Sequence, residues 1–379
     1  MKNKFLLLLI LGVVFFASCS DDDKDPFKNY SADYSGDKLA LKLNGKEFAG
    51  TSVSFNSKNK KNATLTLNKL IPGEPALEVT NLVVEELTGD DYTFAGESKN
   101  DDRTLLVEGS VKSGVLSLST NFKVTSKVAG EWMLAKPEMD EDGNLVSGGV
   151  HLEIVTDIDV IKLPVFGEIP INLGSDDEIS LTSLITTLGG SMLPGILTKI
   201  NLKDDGNLVA SYREIDGIDG IFNPDEAPLV NSDEGLVRYN VKDGQIYLLI
   251  DIASLLGRST GNNMDVITAM LETGIPLKLQ LEGEKMKAYV DKEMMMPFLP
   301  YVSMLKELVV DMEPIDLGFL GKITSDDVQK LIDDIVNLVS TSQSIELGLN
   351  LEPYVEEELP QASMLLPKTI EKTILKFAK

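Results

Sequence analysis

Residues 38–45 read Lys-Leu-Ala-Leu-Lys-Leu-Asn-Gly. Leu39, Leu41 and Leu43 alternate with Lys38, Ala40 and Lys42, the period of a strand with one buried face. Asn44-Gly45 then supplies two residues that tolerate positive φ, the strongest short-range signal for a hairpin. The same grammar continues outward. Further strands are expected at 63–70, 77–84, 92–95, 104–111, 115–122 and 127–134, separated by turns rich in Gly, Asp and Asn. No helical period appears before about residue 175. A run of short antiparallel strands at this spacing predicts a small barrel or sandwich over residues 37–136.

Beyond the turn at 140–144 a second domain is expected over residues 137–379. Val150, Leu152 and Ile154 point one way along a strand, and His151 and Glu153 point the other. Helix followed by hairpin then recurs. The first such unit has a helix at 181–197, interrupted by Gly189-Gly190 and Pro194, and strands at 200–202 and 208–212 around Asp205-Gly206-Asn207. The second has a helix at 264–272 and strands at 276–281 and 285–290 around Gly283. The third opens at Thr324, an N-cap candidate, and keeps apolar spacing through Val328, Leu331, Ile332, Ile335, Val336 and Val339 before a strand at 344–351. This order predicts an antiparallel sheet with helices on one face, so the chain as a whole reads as mainly β with an α+β second part.

Composition narrows the functional classes. The 379 residues carry a formal charge of −25, which repels phosphate backbones and argues against nucleic-acid partners. An apolar content of 43% is that of a globular protein. Cys19 is the single cysteine, so no intramolecular disulfide can form. Lys2 and Lys4, the apolar run 5–17 and the small pair Ala17-Ser18 have the layout of a secretory signal over residues 1–18. Residues 19–36 are polar, contain Pro26 and read as a flexible tether.

The stretch up to Cys19 resembles a bacterial lipoprotein signal, with Phe16 where Leu is usual. The resemblance implies acylation of Cys19. Ser20-Asp21-Asp22-Asp23 resembles the export signal with which Bacteroidetes send lipoproteins to the cell surface. It implies a protein anchored in the outer membrane and facing the exterior. The strand pattern of 37–136 is similar to the calycin-like barrels that begin many such lipoproteins. The whole chain is similar to an uncharacterised family of Bacteroides lipoproteins, for which the resemblance implies no activity.

Chemistry is then tested by what the chain offers. His151 is the only histidine and, on an alternating strand, is expected to face solvent. A zinc site is not expected without thiols or a second histidine. No dinucleotide fingerprint, phosphate loop or nucleophile elbow is present. Glu85-Glu86 and Asp90-Asp91 read as surface charge, not as a glycosidase pair. Asp140-x-Asp142-x-Asn144 has its glycine at the fourth position and His151 where a calcium loop needs a bidentate Glu, so it reads as a turn. The oxygen-rich loop 216–225 is a minor metal candidate. No cofactor is expected.

The most distinctive apolar stretch is Met294-Met295-Met296-Pro297-Phe298-Leu299-Pro300-Tyr301. Methionine is flexible and polarizable and suits surfaces that accept varied apolar ligands, although it also fills gaps in cores. Met294, Met295, Met296, Phe298 and Tyr301 are therefore the candidate ligand-binding residues. The expected function is that of a non-catalytic surface binding module for an apolar ligand or peptide, with an outer-membrane protein as a further partner. The alternatives are a glycan-capturing accessory lipoprotein and a carboxylate-based glycoside hydrolase. Exposed aromatic residues in a groove would favour glycans, an apolar cavity the first reading, and two facing buried acids the third.

Overall fold

The computed structural model describes residues 28–57, 59–141, 145–164, 167–172, 180–215, 227–251, 274–310, 312–316 and 322–356. Cys19, the acidic run 20–23, the signal stretch, the loop 216–225 and the helix expected at 264–272 lie outside them.

Nine strands make the first sheet. They are β1 (Ala32–Ser35), β2 (Leu39–Leu43), β3 (Lys46–Phe48), β4 (Ser52–Ser57), β5 (Ala63–Ile71), β6 (Glu74–Glu86), β7 (Tyr92–Lys99), β8 (Arg103–Lys112) and β9 (Val115–Val124). Asn44 and Gly45 both have positive φ in the β2–β3 hairpin, as the Asn-Gly signal requires. Alternation dictates the packing: in β8, Arg103, Leu105, Val107, Gly109 and Val111 are buried while Leu106, Glu108 and Lys112 are exposed. The sheet curls until its first segment reaches both edges. β1 pairs with β4, and after a 3-10 turn at Gly36–Lys38, β2 pairs in parallel with β9. The enclosed space is filled. Phe55 stacks on Phe94 at 4.7 Å between centroids, and the Tyr34 and Tyr92 hydroxyls hydrogen-bond at 2.9 Å.

The chain then enters β10 (Gly130–Leu134), a small hairpin of β11 (Glu138–Met139) and β12 (Leu145–Ser147), and β13 (Val150–Val155). A second hairpin, β14 (Val160–Leu163) and β15 (Gly167–Pro170), precedes helix α1 (Leu181–Ile196). Strands β16 (Leu197–Leu202), β17 (Asn207–Arg213), β18 (Leu229–Asn231), β19 (Val237–Lys242) and β20 (Gln245–Ile250) follow. Next come β21 (Ile275–Glu282), β22 (Lys285–Asp291) and the helices α2 (Lys292–Met295) and α3 (Leu299–Leu308). The described chain ends with a short hairpin, β23 (Ile315–Asp316) and β24 (Lys322–Ile323), helix α4 (Ser325–Thr341) and β25 (Ser344–Pro353).

These strands build an eight-stranded closed antiparallel barrel. The order is β10-β16-β17-β19-β20-β21-β22-β25, and β25 returns to pair with β10. β10 is the joint: Trp132 lies opposite both Ile200 of β16 and Pro353 of β25. The strand expected at 127–134 therefore serves the second sheet, although its sequence continues the rhythm of the first. β13 pairs with the first half of β25, beyond the point where β10 takes over. The mainly β, α+β reading holds.

Helices α1, α3 and α4 gather over β13 and the start of β25 in a core of their own, with Leu181, Leu184, Leu299, Leu338 and Val339 against Ile154 and Ile345. Helix α1 runs unbroken through the glycine pair and Pro194, where an interruption was expected. Gly189 has a packing role: a Cβ there would lie 2.7 Å from a methyl of Val150. Ser180 with Ser183, and Thr324 with Asp327, form capping boxes at the starts of α1 and α4.

The two sheets share one hydrophobic core, and a buried ion pair secures their contact. Arg103, 3% exposed, binds Glu74 bidentately at 2.6 Å per contact. The amide of Asn240 on β19 donates to Glu74 Oε1 at 3.2 Å and to the Pro72 carbonyl at 3.0 Å. Gly73, at φ +76°, faces the Tyr247 ring where a Cβ would stand 2.4 Å away. At the rim, Glu234 accepts from Lys46 of the first sheet at 2.7 Å and pairs with Lys203.

Two outcomes follow from this contact. Arg103→Ala or Glu74→Ala leaves an uncompensated buried charge and should cost about 3–5 kcal/mol in urea unfolding, whereas the apolar pair Arg103→Met/Glu74→Leu recovers most of it. The two hydrogen-bonded lysines hold the Glu234 carboxyl well down, at about 2. Because its folded value lies below the unfolded one, its contribution is present above the ordinary carboxylate range and disappears as pH falls toward 2. The stability difference between wild type and Glu234→Gln should therefore be constant near neutrality, vanish on acidification and shrink in high salt.

Candidate functional site

In the closed barrel one face of every strand must point into the lumen. The registers identify it. Leu279 faces Ala288, which faces Leu349; Ile246 faces Leu277; Tyr239 faces Leu248; Leu202 faces Leu208; Trp132 faces Ile200. The opposite face of the same strands carries Lys278, Gln280, Lys287, Asn350, Asn201 and Glu131. The apolar face is thus the inner one, since burying the charged face unpaired would be prohibitive.

Strand tilt sorts these inward residues into layers. Trp132, Leu202, Tyr239, Ile246, Met286 and Leu351 form the layer nearest the first sheet, and all are buried. The Trp132 indole donates to the Val128 carbonyl at 2.8 Å, and the Tyr239 hydroxyl donates to the Lys203 carbonyl at 2.9 Å. Burial raises the Tyr239 phenol well above its usual range, so it remains a neutral donor. Toward the other end, Ala210, Val237, Leu248, Ile275, Val290 and Leu349 are only half-buried. Tyr212 is 36% and Leu347 43% exposed. The lumen is packed at its floor and accessible at its mouth.

The methionine-rich stretch lies at that mouth. β22 ends at Asp291, whose carboxylate accepts the Met294 amide at 2.9 Å and caps α2. Burial pushes the Asp291 carboxyl up, but Lys278 and the amides at the helix start outweigh it and hold it below its ordinary value. The short helix touches β22 and β25, and Lys292 ties it to the Ser340 carbonyl of α4 at 3.0 Å. Met294, Phe298 and Tyr301 are half-buried, Met296 is 42% exposed, and Met295 packs against the helical core. The structure therefore separates Met295, a core filler, from the other four.

One reading of an individual residue changes. His151 does not simply face solvent: its side chain is 13% exposed and its Nε2 lies 2.9 Å from Glu346 Oε2. Strand alternation placed it on the polar outer face correctly, but that face is overhung by neighbouring side chains, which a single strand's pattern does not reveal. Trp132 is the barrel floor and is not presented to solvent. The lumen wall itself was not recognised as a site from sequence. Its signal was the continuous apolar alternation of 275–281, 286–290 and 345–351, which also fits a sheet covered by helices.

The first sheet bears a separate shallow cavity of about 670 Å³ on its outer surface, floored by Ala95, Gly109, Ser117 and Ser119. No helix among the described residues is long and apolar enough to cross a membrane.

The layering has a direct mechanical consequence. Leu202→Ala at the packed floor should cost about 2–5 kcal/mol in chemical denaturation, whereas Leu347→Ala at the mouth should stay within about 0.5 kcal/mol. Equal costs would mean a uniformly packed lumen.

No protein-family model, curated protein or solved structure matches this chain.

Proposed function

We propose that this protein is a non-catalytic binding module, tethered to the outer membrane through an acylated Cys19 and facing the cell exterior, that takes an apolar ligand into the lumen of its closed barrel. The observation that carries the reading is the uniformly apolar inner face, packed at the floor and accessible at the mouth. An eight-stranded barrel is the size at which side chains can either fill the interior or leave room for one small molecule. Burial of an acyl chain or comparable group against Leu248, Ile275, Val290 and Leu349 would be driven by about 25 cal/mol per Å² of apolar surface removed from water. Met294, Met296, Phe298 and Tyr301 would adapt to the part of the ligand that protrudes. Glycan capture is the weaker reading, because the single tryptophan forms the floor and offers no stacking face.

Native mass spectrometry of residues 20–379, taken from cells and then exposed to a lipid panel, tests the reading. Retention of an apolar mass is expected, and Ala288→Phe, which fills the lumen wall, should abolish it without altering the circular dichroism. Equal retention by the variant would place the ligand elsewhere. In cells, Cys19→Ala should no longer incorporate labelled palmitate; continued labelling would refute the anchor.

A further inference from the structure

We infer that the outer face of the barrel carries a site for a divalent first-row transition ion, formed by His151, Glu153 and Glu346. The set is invisible in sequence because His151 and Glu346 are 195 positions apart. Pairing of β13 with β25 brings them together: Glu153 lies directly opposite Glu346, and His151 opposite Gly348, one pleat away on the same face. One ligand atom from each of the three lies within 4.8 Å of the other two. An imidazole nitrogen with two carboxylate oxygens is a donor set suited to Zn²⁺, Mn²⁺ or Fe²⁺.

The charge balance favours a cation. Like charges directly opposite on neighbouring strands are destabilising. Lys287 answers one of them, with Nζ 3.3 Å from Glu346 Oε2, while Glu153 forms no ion pair among the described residues. The ring of His151 is steered as well. Gly348 places no side chain between His151 and Tyr289, and the two rings meet edge to face at 6.0 Å.

His151 and Glu153 also line a cavity of about 670 Å³ with Lys285, Lys287, Gln280 and Asn350. Three protein ligands beside such a space leave coordination positions for water or a polar ligand, the arrangement of an open site. The site stands on the barrel's outer face and is independent of the lumen reading.

The test is calorimetric titration of Zn²⁺ and Co²⁺ into the full chain after chelator treatment, with the visible spectrum of the Co²⁺ form recorded. One saturable site per chain with micromolar affinity is expected, together with ligand-field bands. Glu153→Gln, at an exposed position, removes a ligand and should weaken binding by more than the about 10-fold that losing a supporting partner costs, and His151→Ala should remove the bands. Glu153→Gln should match the wild-type melting temperature in the presence of chelator. Absence of saturable binding below millimolar metal would overturn the site. So would variants that bind as the wild type does, since the metal would then be on the general acidic surface.

Discussion

The closed barrel exists because β25 is longer than any one of its partners on its second edge. Its first half is covered there by β13 and its last residues by β10, while β22 pairs with 346–351 along the other edge. Without β10 reaching both β25 and β16, the inward row of leucines, isoleucines and valines would form one face of an open sheet. Closure pairs the two end strands of the eight-strand series with each other, so neither of them is left there as an open edge. Trp132 stands at the joint, and its indole nitrogen is satisfied by the Val128 carbonyl only four residues earlier. The joint is thus held by local as well as distant contacts.

Docking of the first sheet then sets the depth of the lumen. The Arg103–Glu74 pair and the Asn240 amide fasten the β5–β6 turn to the outer wall at β19. A buried ion pair of this kind contributes little net stability compared with an apolar substitute, but it tolerates few alternative geometries. It fixes orientation here more than it adds stability. Gly206 belongs to the same contact, since a Cβ there would lie 2.7 Å from the Phe122 ring. The first sheet has a filled interior, so it acts as a rigid support at the packed end while the helices gather at the other.

Polar and apolar chemistry are divided between the two faces of one wall. On β22, Met286, Ala288 and Val290 face inward while Lys287 and Tyr289 face outward beside His151 and Glu346. A ligand in the lumen and an ion on the outer face would therefore be separated by the thickness of a single sheet. Period-two alternation is what allows one strand to serve both environments.

Strand alternation, turn residues and the capping signal at Thr324 made the mainly β, α+β class legible from the chain alone, because each depends only on neighbours within a few residues. The apolar rows of 275–281, 286–290 and 345–351 were equally legible, as was the methionine cluster. Local pattern cannot tell a sheet covered by helices from a sheet closed on itself, because both bury the same face. Only the pairing of Trp132 with Ile200 and Pro353 decided that. For the same reason the meeting of His151 and Glu153 with Glu346, and of Arg103 with Glu74, belongs to the tertiary structure: strand register is a long-range choice, settled by which partner buries the most apolar surface while leaving no backbone group unpaired.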